Sequence, residues 1–300
     1  MISNLLAGDP LSLDHIRSVL AGLEETIIFS LVERAQFAHN PRMYKPGTFD
    51  ELKQLGFDGS WLEWILKETE TFQAKARRYT SPDEYPFTAN LPDPIIAPLP
   101  FPKFLHPNNI NVNPSILSFY VHSIVPRVTR RATLALAAAK RARGIVGDAE
   151  YEDDGNYGST AIVDVQILQA ISKRVHYGKF VSEVKFIENP AAFISHIETR
   201  NRQALEGLIT KPAVERKLLQ RLAKKAATYA LEFSPDGEVL QNGDSKPADG
   251  KLDVDGVVDL YESYIIPLTK EVEVDYLLQR LDGISPEEID KMRQGGPAQK

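Results

Sequence analysis

Cysteine is absent from this 300-residue chain. Its absence excludes disulfides, thiolate metal sites and cysteine nucleophiles, and it fits a reducing compartment, so the cytoplasm is the expected location. Long hydrophobic runs are missing too. Nowhere do about eighteen apolar residues follow one another without a charge, so no membrane span and no membrane partner are expected. The first ten residues, Met1 to Pro10, have no basic n-region, and Asp9-Pro10 cuts off their apolar run, so they do not read as a signal peptide. A net charge of −6 argues against a surface for nucleic acid. The six histidines are scattered, and neither a Gly-rich phosphate loop nor a Gly-x-Ser-x-Gly turn is present. Nucleophilic and metal-assisted chemistry therefore have no visible equipment, and no cofactor or metal is expected. Any catalysis would rest on positioning and electrostatics.

What is present is almost all helical spacing. Leu13, Ile16, Leu20, Leu23, Ile27, Leu31 and Phe37 recur at threes and fours and predict a long amphipathic helix over 12–38. Ser60-Trp61-Leu62-Glu63 reads as a capping box opening a helix to Arg78. Residues 86–114 are proline-rich, and proline has no N–H for a ladder or a helix interior. They predict an extended connector, after which Asn113-Pro114 supplies N-cap and N1 for a helix to Arg143, kinked at Pro126. Residues 147–155 are acidic and irregular. A long helix capped at or beside Ser159 follows and stops before Asn189-Pro190. Shorter helices are expected at 191–198 and 201–208, then one from Pro212 to Phe233. Residues 234–251 read as a mobile loop. Asp253 caps the last long helix, which contains Pro267 and ends at Leu281. The tail 283–300 reads as frayed. No internal repeat and no strand pair emerge. A single all-α domain over 1–300, ordered over about 12–281, is the expected architecture.

Arg174 and Lys185 lie eleven residues apart. At about 100° per residue that returns to nearly the same face three turns on. Two cations on one stripe of an acidic protein suggest a pocket for a small polyanion; snorkelling basic residues are the plainer reading. Lys173, Lys179 and Glu183 beside them read as solvated, and His176 as a packed or surface histidine. Thr269 and Glu273 are an i, i+4 pair that shares a helix face. They form either a solvated face or a site with a desolvated carboxyl of raised pKa. Arg77 and Arg78 close a helix, where the dipole favours cations. Asn156, Gly158 and Ser159 lie in a turn feeding a helix start, either a plain cap or a carboxylate site on exposed N–H groups.

At these residues the chain resembles the all-helical chorismate mutases of the fungal and plant type. The resemblance is most specific over 155–186 and over 266–278, with supporting matches at Ile16-Arg17, 24–29, Arg77-Arg78-Tyr79, 81–84 and Ala213-Val214-Glu215. It implies conversion of chorismate to prephenate on the route to phenylalanine and tyrosine, in a homodimer of helical subunits. It implies active-site roles for Arg17, Arg174, Lys185, Glu215, Thr269 and Glu273. It also implies a dimer-interface effector site at Arg77, Arg78, Asn156, Gly158 and Ser159, where tyrosine inhibits and tryptophan activates. Lys211 stands where the family often has Asn, Ile162 where it has Thr, and Asp253 near a family hinge Thr. A non-catalytic helical scaffold binding a carboxylate ligand is the alternative. Convergence of Arg17, Arg174, Lys185 and Glu273 in one pocket separates the two.

Overall fold

The computed structural model describes residues 10–145, 151–231 and 253–295, and no strand occurs among them. The first helix, α1 (Leu13–Arg34), is capped by Ser12, whose side chain accepts from the His15 N–H. It stops short of Ala38 because the next turn reverses: the carbonyls of Phe37, Ala38 and His39 point back onto the Arg34 guanidinium. A short α2 (Asp50–Gln54) leads to α3 (Trp61–Lys75), which opens on the expected capping box, with Ser60 and Glu63 each accepting the other's backbone N–H. The α3 helix ends three residues before Arg78, where Arg77 takes a left-handed conformation at φ 62°.

Residues 81–112 form the extended connector, with no helix in it. Its amides find side-chain acceptors: Phe87 and Thr88 donate to Glu70, and Val112 donates to His176 Nε2. Helix α4 (Asn113–Phe119) starts one residue earlier than expected, with Val112 as N-cap. The Asn113 side chain turns inward instead, to the carbonyls of Tyr85 and Pro86 and to the Ser172 hydroxyl. The expected bend at Pro126 takes the form of a π-helical turn, Tyr120–Ile124, ahead of α5 (Val125–Val128) and α6 (Arg130–Ala142). The last long helix does the same. Helix α12 (Val254–Leu260), capped by Asp253, runs into a π turn, Tyr261–Ile265, before α13 (Ile266–Gln279) with Pro267 near its start. A proline removes one backbone donor and clashes one turn back, and a widened turn absorbs both.

The single long helix expected before Asn189 is two, α7 (Tyr157–His176) and α8 (Gly178–Glu188), joined at Tyr177. Its N-cap is Asn156, and neither that side chain nor Ser159 caps it. Then come α9 (Pro190–Glu198), α10 (Arg202–Ile209) and α11 (Pro212–Tyr229), close to expectation. Over 283–295 the frayed tail is overturned. Ser285 and Glu288 make a second capping box that starts α14 (Pro286–Arg293), Met292 is buried, and Arg293 pairs with Glu198 of α9 at 2.7 Å. Apolar Ile289 and Met292 supplied that anchorage. The start 1–9, residues 146–150, residues 232–252, which include the stretch expected to be a mobile loop, and residues 296–300 lie outside the described residues.

Helix α7 is the axis of the molecule. Fifteen of its twenty residues are buried, under α1 on one side and α3, α4 and α13 on others. Ile27, Ile28, Leu31, Leu62, Leu66, Ile116 and Val272 close around it. A second cluster, Phe186, Phe193, Ile194, Leu205 and Leu277, packs α9, α10 and α14 onto α8 and α13.

A helix buried this completely carries charge only where partners meet it. Asp164 of α7 accepts from Arg34 Nε at 2.8 Å, from Tyr44 at 2.7 Å and from Tyr120 at 2.6 Å. Arg34 and Asp164 are both fully buried. Removing one partner of such a pair leaves an uncompensated charge in low dielectric. Asp164→Ala should therefore cost about 3–5 kcal/mol of stability, whereas Arg34→Met combined with Asp164→Leu should cost much less. Urea unfolding of both variants measures this, and equal losses would mean that the pair itself carries the stability.

Candidate active site

The α7–α8 junction carries the site. Arg174 lies in the last turn of α7, Gly178 opens α8, and Lys185 follows two turns later. Helix α13 packs across them, bringing Thr269, Lys270 and Glu273. Between these helices lies a cavity of about 220 Å³. Leu13, Ile16, Arg17 and Leu20 of α1 form one wall, and the α10–α11 turn with Lys211, Glu215 and Leu218 forms another. All six residues expected at the active site, Arg17, Arg174, Lys185, Glu215, Thr269 and Glu273, line it. Convergence is the outcome that separates a pocket from a scattering of solvated charges.

Gly178 explains how close the helices come. A Cβ there would lie 2.9 Å from Glu273 Cγ and 3.1 Å from Thr269 Cγ2. Glycine inside a helix costs roughly 1 kcal/mol relative to alanine, and here it lets the two backbones approach until Glu273 faces Lys185. Ser182 donates to the Glu273 carbonyl at 3.1 Å and holds the same contact one turn on. The sequence reading assigned neither residue a role, although the glycine interrupting a helical run between Tyr177 and Lys179 was the visible signal.

The electrostatics are uneven. Arg174 is buried, has no ion-pair partner among the described residues, and its Nε has no hydrogen-bond partner. A buried guanidinium without an acceptor is costly unless a ligand supplies one. Lys185 donates to the Ile209 carbonyl at the end of α10. Burial holds the Lys185 ammonium pKa below its usual value; Glu273 opposes that shift and Lys211 adds to it. Glu273 is itself pushed up to about 7, chiefly by burial, against the pull of Lys185, Arg174 and Lys270. It is therefore largely protonated below neutrality and can donate a hydrogen bond. The desolvated-carboxyl reading of Glu273 is the one the geometry supports.

Three further placements refine the sequence reading. Arg17 sits at the mouth, its side chain 70% exposed and paired with Asp14 at 3.0 Å. Exposed pairs of this kind are weak and exchangeable. Glu215 is held by Lys270 at 3.0 Å, a partner not anticipated. The Thr269 hydroxyl donates to the Ile265 carbonyl at 2.6 Å, leaving it only acceptor capacity toward the cavity.

The residues expected to be solvated beside Arg174 are not. Lys173 pairs with Asp83 at 2.7 Å and Glu84 at 2.9 Å. Lys179 donates to Asn108 and to the Ile110 carbonyl. Glu183 takes Arg280 at 2.7 Å. Each can be buried because the fold brings it a partner from far along the chain, on the connector or at the cap of α13. His176 is a packed histidine, stacked on Tyr85, with burial pushing its pKa down to about 3.

The five expected effector residues do not meet within one subunit. Trp61 at the start of α3 donates to the Tyr157 carbonyl, while Arg78 beyond its end donates to Gln169. Twelve residues of α7 separate those contacts, about 18 Å at 1.5 Å per residue. Arg77 donates to the Ala97 carbonyl and Arg78 also binds Glu84. Asn156, Gly158 and Ser159 are exposed at the other end.

Comparison with known proteins follows the same lines. Residues 156–274 match the family chorismate mutase type II. The chain is 41% identical to the chorismate mutase of Schizosaccharomyces pombe over 281 residues, covering 92% of this chain and 99% of that one. Its fold is similar to the crystal structure of Aro7p chorismate mutase from Candida albicans in complex with L-Trp. The TM-score is 0.78 at 38% identity, over 94% of this chain and 96% of that one. A structure of AtCM1 with tyrosine bound in its allosteric site gives a TM-score of 0.73 at 39% identity, over 92% and 99%.

Two glycines allow a direct test of the helix approach. Gly178→Ala forces its methyl against Glu273 and Thr269 and should cost about 1–3 kcal/mol, the range for overpacking. Gly22→Ala in α1, where nothing lies within 4 Å of the new atom, should gain about 0.5–1 kcal/mol from helix propensity. Thermal or urea unfolding of both reads the difference. A neutral Gly178→Ala would mean the helices are free to separate.

Proposed function

The chain belongs to the type II chorismate mutase family, and on that basis we propose how its residues convert chorismate to prephenate. The carrying observation is Arg174, a buried cation without a protein acceptor, facing the same cavity as Lys185 and as Glu273, whose carboxyl pKa burial pushes up to about 7. The rearrangement is pericyclic: a carbon–oxygen bond breaks as a carbon–carbon bond forms within one molecule. It needs no nucleophile and no external proton.

Arg174 takes one substrate carboxylate, since a guanidinium can present two parallel N–H groups to it. Arg17 exchanges Asp14 for the other at the cavity mouth, while Lys211 adds charge from the α10–α11 wall. These contacts exist in substrate and transition state alike and hold the folded conformer in which the reacting carbons meet. Acceleration must come from contacts that strengthen as the bond breaks. Negative charge then grows on the ether oxygen. Lys185 donates to it from α8, and protonated Glu273 from α13, in a site already shielded from water. Lys270 orients Glu215 to accept from the ring hydroxyl, and Thr269 offers a secondary acceptor.

The remaining roles follow from the same family. The whole chain acts as one mutase domain, in the cytoplasm, as a homodimer. Because Arg77 and Arg78 lie about 18 Å from Asn156, Gly158 and Ser159 along α7, a site using all five draws them from two subunits. There tyrosine lowers and tryptophan raises chorismate affinity by biasing the dimer in opposite directions. Arg77→Ala should blunt both effects and spare the basal rate. Kinetics with and without each amino acid decide this, and full regulation in the variant would place the effector site elsewhere.

The activity is tested by chorismate loss, with prephenate identified as product, in the presence of a chelator. Folded protein giving only the spontaneous rate would sink the assignment. Lys185→Ala should lower kcat about a hundredfold, the scale for losing one donor to developing oxyanion charge. Arg174→Ala should raise KM as well, since it acts in both states.

Glu273 sets the pH dependence. It must carry its proton to donate, and its pKa is about 7, so activity should fall as pH rises through neutrality. Glu273→Gln keeps a donor that does not titrate and should flatten the profile between about pH 6 and 8, leaving any later decline to Lys185. An unchanged decline in that window would assign it to another group.

A further inference from the structure

A second cavity, of about 470 Å³, shares no lining residue with the first; it is bordered by Glu183 of α8 and by Arg280 just past the end of α13, and walled by the connector and by α14. Phe104, Leu105 and Met292 supply apolar surface, and Lys103, Arg280 and Lys291 supply charge. Two carboxylates also border it, but both are committed. Glu183 accepts from Tyr276 and from Arg280 Nε and Nη2. Glu288 accepts from the Ser285 backbone in the capping box. The cations are not matched in the same way. Lys103 and Lys291 have no ion pair among the described residues. Arg280 uses Nε and Nη2 on Glu183, while Nη1 has no partner among the described residues. That guanidinium is held in place: the residue is 3% exposed and lies 4.5 Å over the Phe186 ring. His106 does not add an anion, since its Nε2 faces the Asp282 carbonyl and its backbone N–H the Tyr276 hydroxyl.

We infer that this cavity is a second ligand site, for a small organic carboxylate with an apolar body. Arg280 offers its remaining N–H groups in a fixed plane, the geometry that suits a carboxylate. Lys103 and Lys291 stand on opposite walls, the connector and α14, and add charge from both. Phe104, Leu105 and Met292 take the apolar part, as in small-molecule sites where a few polar groups fix a ligand on hydrophobic walls. A bare inorganic anion leaves those walls unfilled, and a neutral aromatic leaves the cations unmet. The site is separate from the mutase cavity: Arg280 caps α13 seven residues beyond Glu273, about 10 Å along the helix axis.

The chain carries its own reporter, since it has three methionines, Met1, Met43 and Met292. Met43 is buried in the main core and Met292 borders the second cavity. The full chain is labelled with methyl-13C methionine, Met292→Leu assigns the signal, and sodium benzoate is titrated by NMR. Benzyl alcohol and sodium phosphate serve as the neutral and the inorganic comparisons. The Met292 methyl should shift saturably with benzoate while Met43 stays still, and both comparison compounds should bind about tenfold more weakly or worse. Lys103→Gln with Lys291→Gln, both exposed side chains, should weaken benzoate about tenfold, the scale for two partly screened charges. Chorismate turnover should be unchanged in that variant. A Met292 signal that does not move, equal binding of benzyl alcohol or phosphate, or undiminished benzoate affinity in the double variant overturns the site.

Discussion

A helix surrounded on every side by protein can carry a charge only if something meets that charge. Helix α7 and its continuation α8 run through the centre of this molecule under that constraint, and they are not apolar. Asp164 meets Arg34, Lys173 meets Asp83 and Glu84, Lys179 meets Asn108 and the Ile110 carbonyl, and Glu183 meets Arg280. The partners come from the end of α1, the connector and the residue that caps α13, so satisfying one helix fixes the position of most of the others. An unpaired charge at any of these points costs several kcal/mol. The network thus specifies one arrangement of helices where apolar packing alone would tolerate several.

Arg174 is the exception on that helix, and function follows from the exception. Every other buried charge on α7 and α8 is answered by protein. The Arg174 Nε is not, and it faces the cavity where Lys185 and Glu273 meet. The guanidinium is buried and no described residue accepts from its Nε, so its demand is left for a ligand. The same burial that makes α7 expensive raises the Glu273 pKa and lowers that of Lys185. Desolvation therefore prepares a carboxyl that holds its proton longer and an ammonium that is a more acidic donor at one point, before substrate arrives.

The proline turns serve that arrangement. Pro126 and Pro267 each follow a π turn that begins with a buried tyrosine, Tyr120 and Tyr261. The widened turn shifts the helix phase, so that Tyr120 reaches Asp164 of α7 and the residues after Pro267 present Thr269 and Glu273 to Gly178. A straight helix through 254–279 would keep a different face toward α8. The bend is thus part of how the site is aimed.

The sequence by itself determined the local chemistry. Helical periodicity, the caps at Ser12, Ser60 and Asp253, and the proline breaks are short-range facts, and each was legible because its cause lies within a few residues. The six residues that line the cavity were legible as types and as a family pattern. Burial was not, because it depends on what arrives from elsewhere. Lys173, Lys179 and Glu183 read as solvated and are buried, since their partners at Asp83, Glu84, Asn108 and Arg280 stand roughly 70 to 100 positions away. The tail at 283–300 read as frayed, yet a capping box and Met292 dock α14, because α9 supplies a surface that no local window contains. Only tertiary structure decided that Gly178 admits Glu273, that Arg174 is left without an acceptor, and that Arg78 meets α7 at Gln169, twelve residues along from Tyr157. Propensity acts along the chain over one or two turns, whereas desolvation and charge pairing act across space, and the pocket is made of the second kind.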